Sequence, residues 1–375
     1  NAAQRKAVCY EGGHLLIVAG PGTGKTMTLT HRIAQQIQSG MNQPEQILAL
    51  TFTNKAAREM AERLAALLSE AVSRRIRVRT FHSFCLEALR NEAEKLNLSP
   101  DFTLCSELDA ALLAREAFSE AGKSTRGAAG FLKALPQLKT ARLNHVPLQD
   151  LDPVFQRYEK KLKSLGMLDL HDLEVETVRL FQDHPDVCMK YSFRFPGIFV
   201  DEYQDTNPLQ VALLKLLVHG PSDDCKEKSS VRDKRDSPYA LPALSRSAPS
   251  PSVISSGSND SRPRGLVEGD LTPCASFLCA IGDPNQAIYS FRGAEIQNFQ
   301  RFKEDFQGAA EISLYENYRS AQTLLDGAAA LMEQSEALKG HSPGGDFIRI
   351  APCRTSAEEA EMGVEQIEKL IGGTS

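Results

Sequence analysis

The sequence predicts an α/β fold, a parallel doubly wound sheet interrupted by an inserted helical subdomain. Short apolar runs near 15–19, 47–51, 76–80, 197–200 and 277–281 read as strands buried on both faces. The segments between them repeat apolar residues at three- and four-residue steps, so strands alternate with crossover helices. Residues 86–195 keep that helical spacing over a stretch too long for one crossover, and are expected to form a subdomain of their own.

Composition narrows the function classes. A chain of 375 residues can hold roughly two or three domains and a sizeable core. The formal net charge is −5, so a nucleic-acid partner would need a local basic patch. The eight cysteines stand singly, without a CxxC pair or a Cys/His group at zinc spacing. Reduced thiols and an intracellular location are therefore expected, in cytoplasm or nucleoid for a bacterial protein and in nucleus or organelle for a eukaryotic one. No apolar run approaches membrane-spanning length and no secretory signal is visible, so no membrane partner is expected. The chain begins without Met and stops at IGGTS, as expected of an excised fragment.

The first element is LLIVAGPGTGKTMTLTHRI, Leu15 to Ile33: a strand, a glycine loop and a helix. Ala19, Gly20, Pro21, Gly22, Thr23, Gly24, Lys25 and Thr26 make up the loop. Its glycines let backbone N–H groups curl around phosphate oxygens, and the helix N-terminus adds its positive dipole end. Lys25 is suited to the β- and γ-phosphates and the Thr26 hydroxyl to Mg2+. The strict pattern has Gly where this chain has Ala19. An ordinary glycine-rich turn is the bland alternative, and the strand–loop–helix order disfavours it. FPGIFVDEYQDTNPLQVALLKLL, Phe195 to Leu217, supplies the acidic partner at the C-terminal end of a buried strand. Asp201 is expected to hold Mg2+ and Glu202 to orient or deprotonate the attacking water. A nucleoside triphosphate and Mg2+ are thus the expected ligands.

Two further stretches repeat a strand, a Thr-rich turn and an amphipathic helix: ILALTFTNKAAREMAERL (47–64) and VRTFHSFCLEALR (78–90). Thr51, Phe52, Thr53, Asn54, Thr80, Phe81, His82 and Ser83 lie at these strand ends. Hydroxyls, amides and backbone N–H groups there can hold phosphates without reading sequence. His82 receives no acid–base role. SRRIRVR (73–79) fits a contact to a phosphate backbone and a solvated strand entry equally well. In LGMLDLHDL (165–173), Asp169 and Asp172 have the look of a metal pair, and a helix cap is the preferred reading. CAIGDPNQAIYSFRGAEIQNFQRF (279–302) ends a strand in a polar loop, where Tyr289, Phe291 and Arg292 offer two rings and a guanidinium for bases to stack on. Core packing is the alternative for each aromatic. Residues 221–275 are rich in Ser, Pro and charge, have no period, and are expected to be a disordered excursion. It is either a neutral surface expansion or a protein-binding insert. Past LYENYRS (314–320), a helix, a strand at DFIRIAPC and a second helix are expected.

These motifs, in this order, resemble the UvrD/Rep/PcrA group of superfamily 1 helicases over roughly residues 1–220 and 276–320. The resemblance implies a RecA-like ATP-binding domain (1–85 and 196–318), a helical subdomain inserted at 86–195, and the start of a second RecA-like domain at 319–375. It implies an ATPase that translocates on single-stranded DNA and opens single-strand/duplex junctions, 3′ to 5′, in repair or replication. Gln4 would read adenine, and Arg32 and Tyr318 would lie near the base. Gln286 and Arg319 would reach the γ-phosphate, Arg319 following charge that develops in the transition state. The residues at the strand ends and at Tyr289–Arg292 would line the strand channel. The long 221–275 stretch departs from the family, which has a short connection there. The family's later motifs are not found before Ser375. Two alternatives stay open: a helicase-nuclease subunit of the RecB/AddA type, and a non-hydrolysing scaffold that binds DNA or protein.

Overall fold

The computed structural model describes residues 1–143, 152–221, 276–288, 293–332, 338–342, 344, 347–348 and 350–372. Two compact units emerge, Asn1–Leu314 and Tyr315–Ser375.

In the first unit the expected apolar runs are strands: β1 (Leu15–Ala19), β2 (Ile47–Thr51) and β3 (Arg77–Thr80). A two-residue pair follows, β4 (Thr103–Leu104) with β5 (Met167–Leu168), then β6 (Gly197–Val200), β7 (Phe277–Gly282) and β8 (Ala310–Leu314). The main sheet has six strands in the order β3-β2-β6-β7-β1-β8, and each neighbouring pair is parallel. The fold is therefore α/β with a parallel sheet, as the apolar runs predict, and is consistent with the RecA-like domain that the resemblance implies. β8 is an addition: it was not among the expected strands, and it lies at the edge beside β1.

Parallel sheets bury both faces, and the core divides accordingly. Alternate residues of one strand go to opposite sides. Leu48 and Leu50 join one cluster and Ile47 and Ala49 the other. Helices α1 (Ala2–Val8), α2 (Lys25–Gln38) and α3 (Asn54–Leu68) cover one face through Ala7, Leu29, Ile33, Met60 and Leu64; α4 (Glu70–Ser73) follows α3. α5 (Phe81–Asn91) helps cover the other through Phe84, Cys85, Ala88 and Leu89.

The long helical tract holds α6 (Glu107–Glu120), α7 (Ala128–Leu143), α8 (Pro153–Ser164), α9 (Leu170–Asp183) and α10 (Pro185–Arg194). α6, α7 and α8 enclose a separate apolar cluster that includes Leu113, Ala117, Phe131, Leu135, Phe155, Tyr158 and Leu162. α9 packs on α5 and on α11 (Pro208–His219) and belongs to the sheet's core through Leu173, Val178, Leu180 and Phe181. Asp169 caps α9, accepting from the backbone N–H of His171 and Asp172 at 2.9 and 3.0 Å. Above this cap sits a buried ion cluster. Lys139 Nζ lies 2.8 Å from Glu159, 2.8 Å from Asp169 and 2.5 Å from Asp172, with no exposed side-chain surface. Burial works to raise both aspartates; Lys139 holds Asp169 below the usual range, while burial and the Asp169 charge push Asp172 well above it.

The second unit has strands β9 (Glu316–Ala321) and β10 (Lys339–Ser342), paired in parallel, and helices over Gln322–Leu331 and Ser356–Leu370. The strand expected at DFIRIAPC falls partly outside the described residues, and those described there are not in a strand.

Candidate nucleotide site and its surroundings

Parallel pairing brings the C-terminal ends of β1, β6 and β7 side by side. Val18 is in register with Gly282, and Val200 with Ala280. The segments leaving these ends are the glycine loop, DEYQD and GDPNQ.

The loop bends through Gly22 and Gly24, whose φ values of 70° and 83° lie where only glycine is comfortable. Helix α2 starts directly from Gly24 without a side-chain cap, the arrangement in which a helix N-terminus receives an anion. Thr23 braces the loop by donating to the Gly20 carbonyl at 2.8 Å. Gln4 pins it from outside, its Nε2 donating to the Thr23 carbonyl at 2.9 Å. Arg32 is wholly buried. Its Nη1 donates to the carbonyls of Ala7, Val8 and Tyr10 at 2.8, 3.3 and 2.7 Å. A cation there satisfies the orphan carbonyls at the end of α1 and meets the negative end of its dipole.

The polar side chains close into a ring. Lys25 Nζ donates to Gln286 Oε1 at 3.1 Å and lies 3.6 Å from Glu202 Oε2. Gln286 Nε2 donates to Asp283 Oδ2 at 2.8 Å. The Asp283 N–H donates to Gln204 Oε1 at 3.0 Å, and Gln204 Nε2 returns to Glu202 Oε2 at 2.9 Å. Thr26 Oγ1 donates to Asp201 Oδ2 at 3.2 Å, and the Glu202 N–H to Asp201 Oδ1 at 3.1 Å. Glu202 itself holds a left-handed backbone, φ 51° and ψ 47°. Gln204, Asp283 and Gly282 were not among the expected site residues. A Cβ on Gly282 would stand 2.4 Å from Gln204 Oε1, so only glycine admits the bridge between the two segments. The signal was present in the motifs themselves: each pairs an Asp with a Gln a few residues on.

Burial, and then the Glu202 charge, pushes the Asp201 carboxyl up to about 6. The same two causes push Asp205 up to about 6, against the opposing effect of Lys25. A buried carboxylate with that history gains from a nearby cation. A hydroxyl and a carboxylate are also the oxygen donors that a hard divalent ion takes. The donor set of Thr26 and Asp201 thus fits Mg2+. Among the described residues, no three His, Cys, Asp or Glu side chains form a further metal-binding group.

Residues 1–226 and 266–307 match the UvrD/REP helicase N-terminal domain. The chain belongs to the UvrD/REP helicase family. It is 32% identical over 386 residues to the ATP-dependent DNA helicase PcrA of Leuconostoc citreum, covering 99% of this chain and 44% of that protein. It is 32% identical over 400 residues to the ATP-dependent DNA helicase UvrD1 of Mycobacterium bovis, covering 100% of this chain and 45% of the relative. A probable DNA helicase II homolog of Rickettsia felis is 31% identical over 390 residues, 99% of this chain and 51% of the relative. The chain thus spans about half the length of the curated relatives it matches.

The other expected residues have mixed placements. Thr53 and Thr80 are helix N-caps, accepting from the N–H of Ala56 at 3.1 Å and of Ser83 at 3.2 Å. Asn54 is exposed and Phe52 half-buried. The side chains of Thr51, Thr80 and Phe81 are buried. Thr51 donates inward to the Thr53 carbonyl at 3.1 Å, Thr80 to Ser83 Oγ at 2.8 Å, and the Phe81 ring packs into the core because that face of α5 turns onto the sheet. His82 Nε2 lies 3.4 Å from Glu174 Oε1. The arginines of SRRIRVR have acidic neighbours: Arg77 and Arg79 meet Glu87 at 3.4 and 3.3 Å, Arg74 meets Glu70 and Arg75 meets Glu45. Tyr289, Phe291, Arg292 and residues 222–275 lie outside the described residues. In the second unit, Tyr318 stacks on His341 at 4.4 Å between ring centroids, and the Arg319 N–H donates to Asn317 Oδ1 at 2.8 Å. No helix among the described residues is long and apolar enough to cross a membrane.

Proposed function

We propose that this chain is the nucleotide-binding part of an ATP-driven motor that moves along single-stranded DNA and opens duplexes, 3′ to 5′. The observation that carries this reading is the convergence of Lys25, Thr26, Asp201, Glu202 and Gln286 at three adjacent strand ends. Lys25 holds the β- and γ-phosphates against the N-terminus of α2. Thr26 and Asp201 hold Mg2+, which neutralises charge on the phosphate oxygens. Glu202 orients the attacking water and takes its proton. Gln286 exchanges its contact with Lys25 for the γ-phosphate, and Asp283 keeps its amide facing the site. Gln4 meets the adenine edge from the position where it pins Thr23, and Arg32 supports that wall by fixing the end of α1. Arg319 and Tyr318 are assigned to γ-phosphate and base on the NYRS motif alone. The strand ends at Thr51–Asn54 and Thr80–Ser83, together with Tyr289, Phe291 and Arg292, are assigned to the DNA backbone and bases. We assign 1–85 with 196–318 to the first RecA-like domain, 86–195 to the insert and 319–375 to the start of the second. We place the protein inside the cell.

The test is ATP binding and hydrolysis by this chain, with and without single-stranded DNA. Tight nucleotide binding that Lys25→Ala removes, with turnover raised by DNA, is the expected result. Undiminished turnover in Lys25→Ala would sink the site assignment.

A further inference from the structure

Glu174 of α9 is a buried carboxylate outside every expected site, its side chain 2% exposed. Both oxygens are engaged. Asn207 Nδ2 donates to Oε2 at 2.7 Å and Gln210 Nε2 to Oε1 at 2.7 Å. The two amides come from the start of α11, where they form a capping box: Asn207 Oδ1 accepts the Gln210 N–H at 2.9 Å, and Gln210 Oε1 accepts the Asn207 N–H at 3.3 Å. With each oxygen fixed by the box, each NH2 group must face Glu174. The carboxylate also lies near the positive end of α11. Its charge further raises the Cys85 thiol, already raised by burial.

Asn207 is joined to Glu202 by a short turn with its own bonds. The Asp205 N–H donates to the Glu202 carbonyl at 2.9 Å, and Thr206 Oγ1 to the Tyr203 carbonyl at 2.7 Å. The same Oε1 that accepts from Gln210 stands 3.4 Å from Nε2 of His82, whose side chain is 40% exposed. That separation is beyond an ordinary hydrogen bond, whereas the two amide contacts are short. A shift of a few tenths of an ångström in the carboxylate would therefore make or break the His82 contact while keeping the amides.

We propose that Glu174 is a positioning residue that transmits the state of the Glu202 turn to His82, so that nucleotide occupancy tightens or releases the side chain offered to the DNA backbone. This rests on the proposed function, because it takes the Glu202 turn as the nucleotide sensor and His82 as part of the DNA face. The two amides give Glu174 a rigid hold on the start of α11, and α9 packs on both α11 and α5.

The test uses the whole chain with its eight histidines labelled at Cε1, and His82→Gln to assign the signal. A non-hydrolysable ATP analogue with Mg2+ is added, and affinity for fluorescent oligothymidylate is measured in parallel. In the wild type the His82 signal should move on analogue binding, with DNA affinity changing about fivefold or more. In Glu174→Gln, nucleotide affinity should stay within about twofold of wild type while the His82 shift is lost and the DNA linkage falls below about twofold. His82→Ala, at a half-buried position, should lose the same linkage with nucleotide binding intact. A wild-type-sized His82 shift and linkage in Glu174→Gln, or no linkage in the wild type despite binding of both ligands, overturns the proposal alone. Failure of the wild-type chain to bind the analogue overturns the functional reading and this proposal with it.

Discussion

Two lysines in this molecule face carboxylates, and their surroundings differ in a way that separates structure from chemistry. Lys139 is fully enclosed, with Glu159, Asp169 and Asp172 all within 2.8 Å. Lys25 is 10% exposed, stands on a glycine loop, and makes looser contacts, 3.1 Å to a neutral amide and 3.6 Å to Glu202. The first cluster is complete as it stands. A buried ion group holds only if geometry and hydrogen bonds are tight, and removing one partner leaves the others uncompensated. The second leaves its lysine free to exchange partners at little cost. A close-packed ion cluster marks a joint, and a loosely held cation beside displaceable acids marks a site.

The contrast can be broken most directly at the joint. Lys139→Met should lower unfolding stability by about 3–5 kcal/mol, read from urea denaturation, because three acids then share an apolar pocket. An unchanged midpoint would show that the cluster is not what fixes α7 to α9. Lys25→Ala should do the reverse, cutting turnover about 10²–10³-fold with stability within about 0.5 kcal/mol of wild type. A large loss of stability there would erase the distinction between the two lysines.

A smaller effect comes from Asp205. Its folded carboxyl titrates near 6, above the ordinary 3.8, so the folded chain holds that proton more tightly than the unfolded chain. The corresponding stability is fully present below pH 3.8 and is lost as pH rises through about 6. Asp205→Asn should remove this loss, leaving the variant about 1–2 kcal/mol better placed relative to wild type at pH 7.5 than at pH 4. Parallel stability–pH curves for the two proteins would contradict it. The smallest effect is expected at the surface: Glu87→Gln unpairs Arg77 and Arg79, yet should cost less than about 1 kcal/mol in the same denaturation assay.

The strands that position the site were legible because burial on both faces leaves an unbroken apolar run, as in LLIVA and GIFV. β8 was not, because an edge strand needs no such run: AEISL is only alternately buried. The loop, Asp201 and Glu202 could be read because each chemistry lies in one contiguous stretch. The ring through Gln204, Asp283 and Gly282 joins stretches some 80 residues apart, and Lys139 meets acids from two other helices. Such pairings are set by how the sheet aligns its strand ends and how helices dock; the Asp and Gln of each motif are visible in the sequence, but not that the two motifs meet. The burial of Phe81 was equally hidden. Its neighbours are polar, and only the docking of α5 turns the ring inward.

Glu202 holds a left-handed backbone that disfavours any residue with a side chain by roughly 1–2 kcal/mol. Glu202→Gly would relieve that strain and delete the carboxylate in the same step. Laboratory populations selected for heat resistance alone should drift toward glycine at this position, and those selected for turnover should keep glutamate. The residue found at position 202 then serves as a record of which pressure a lineage last experienced.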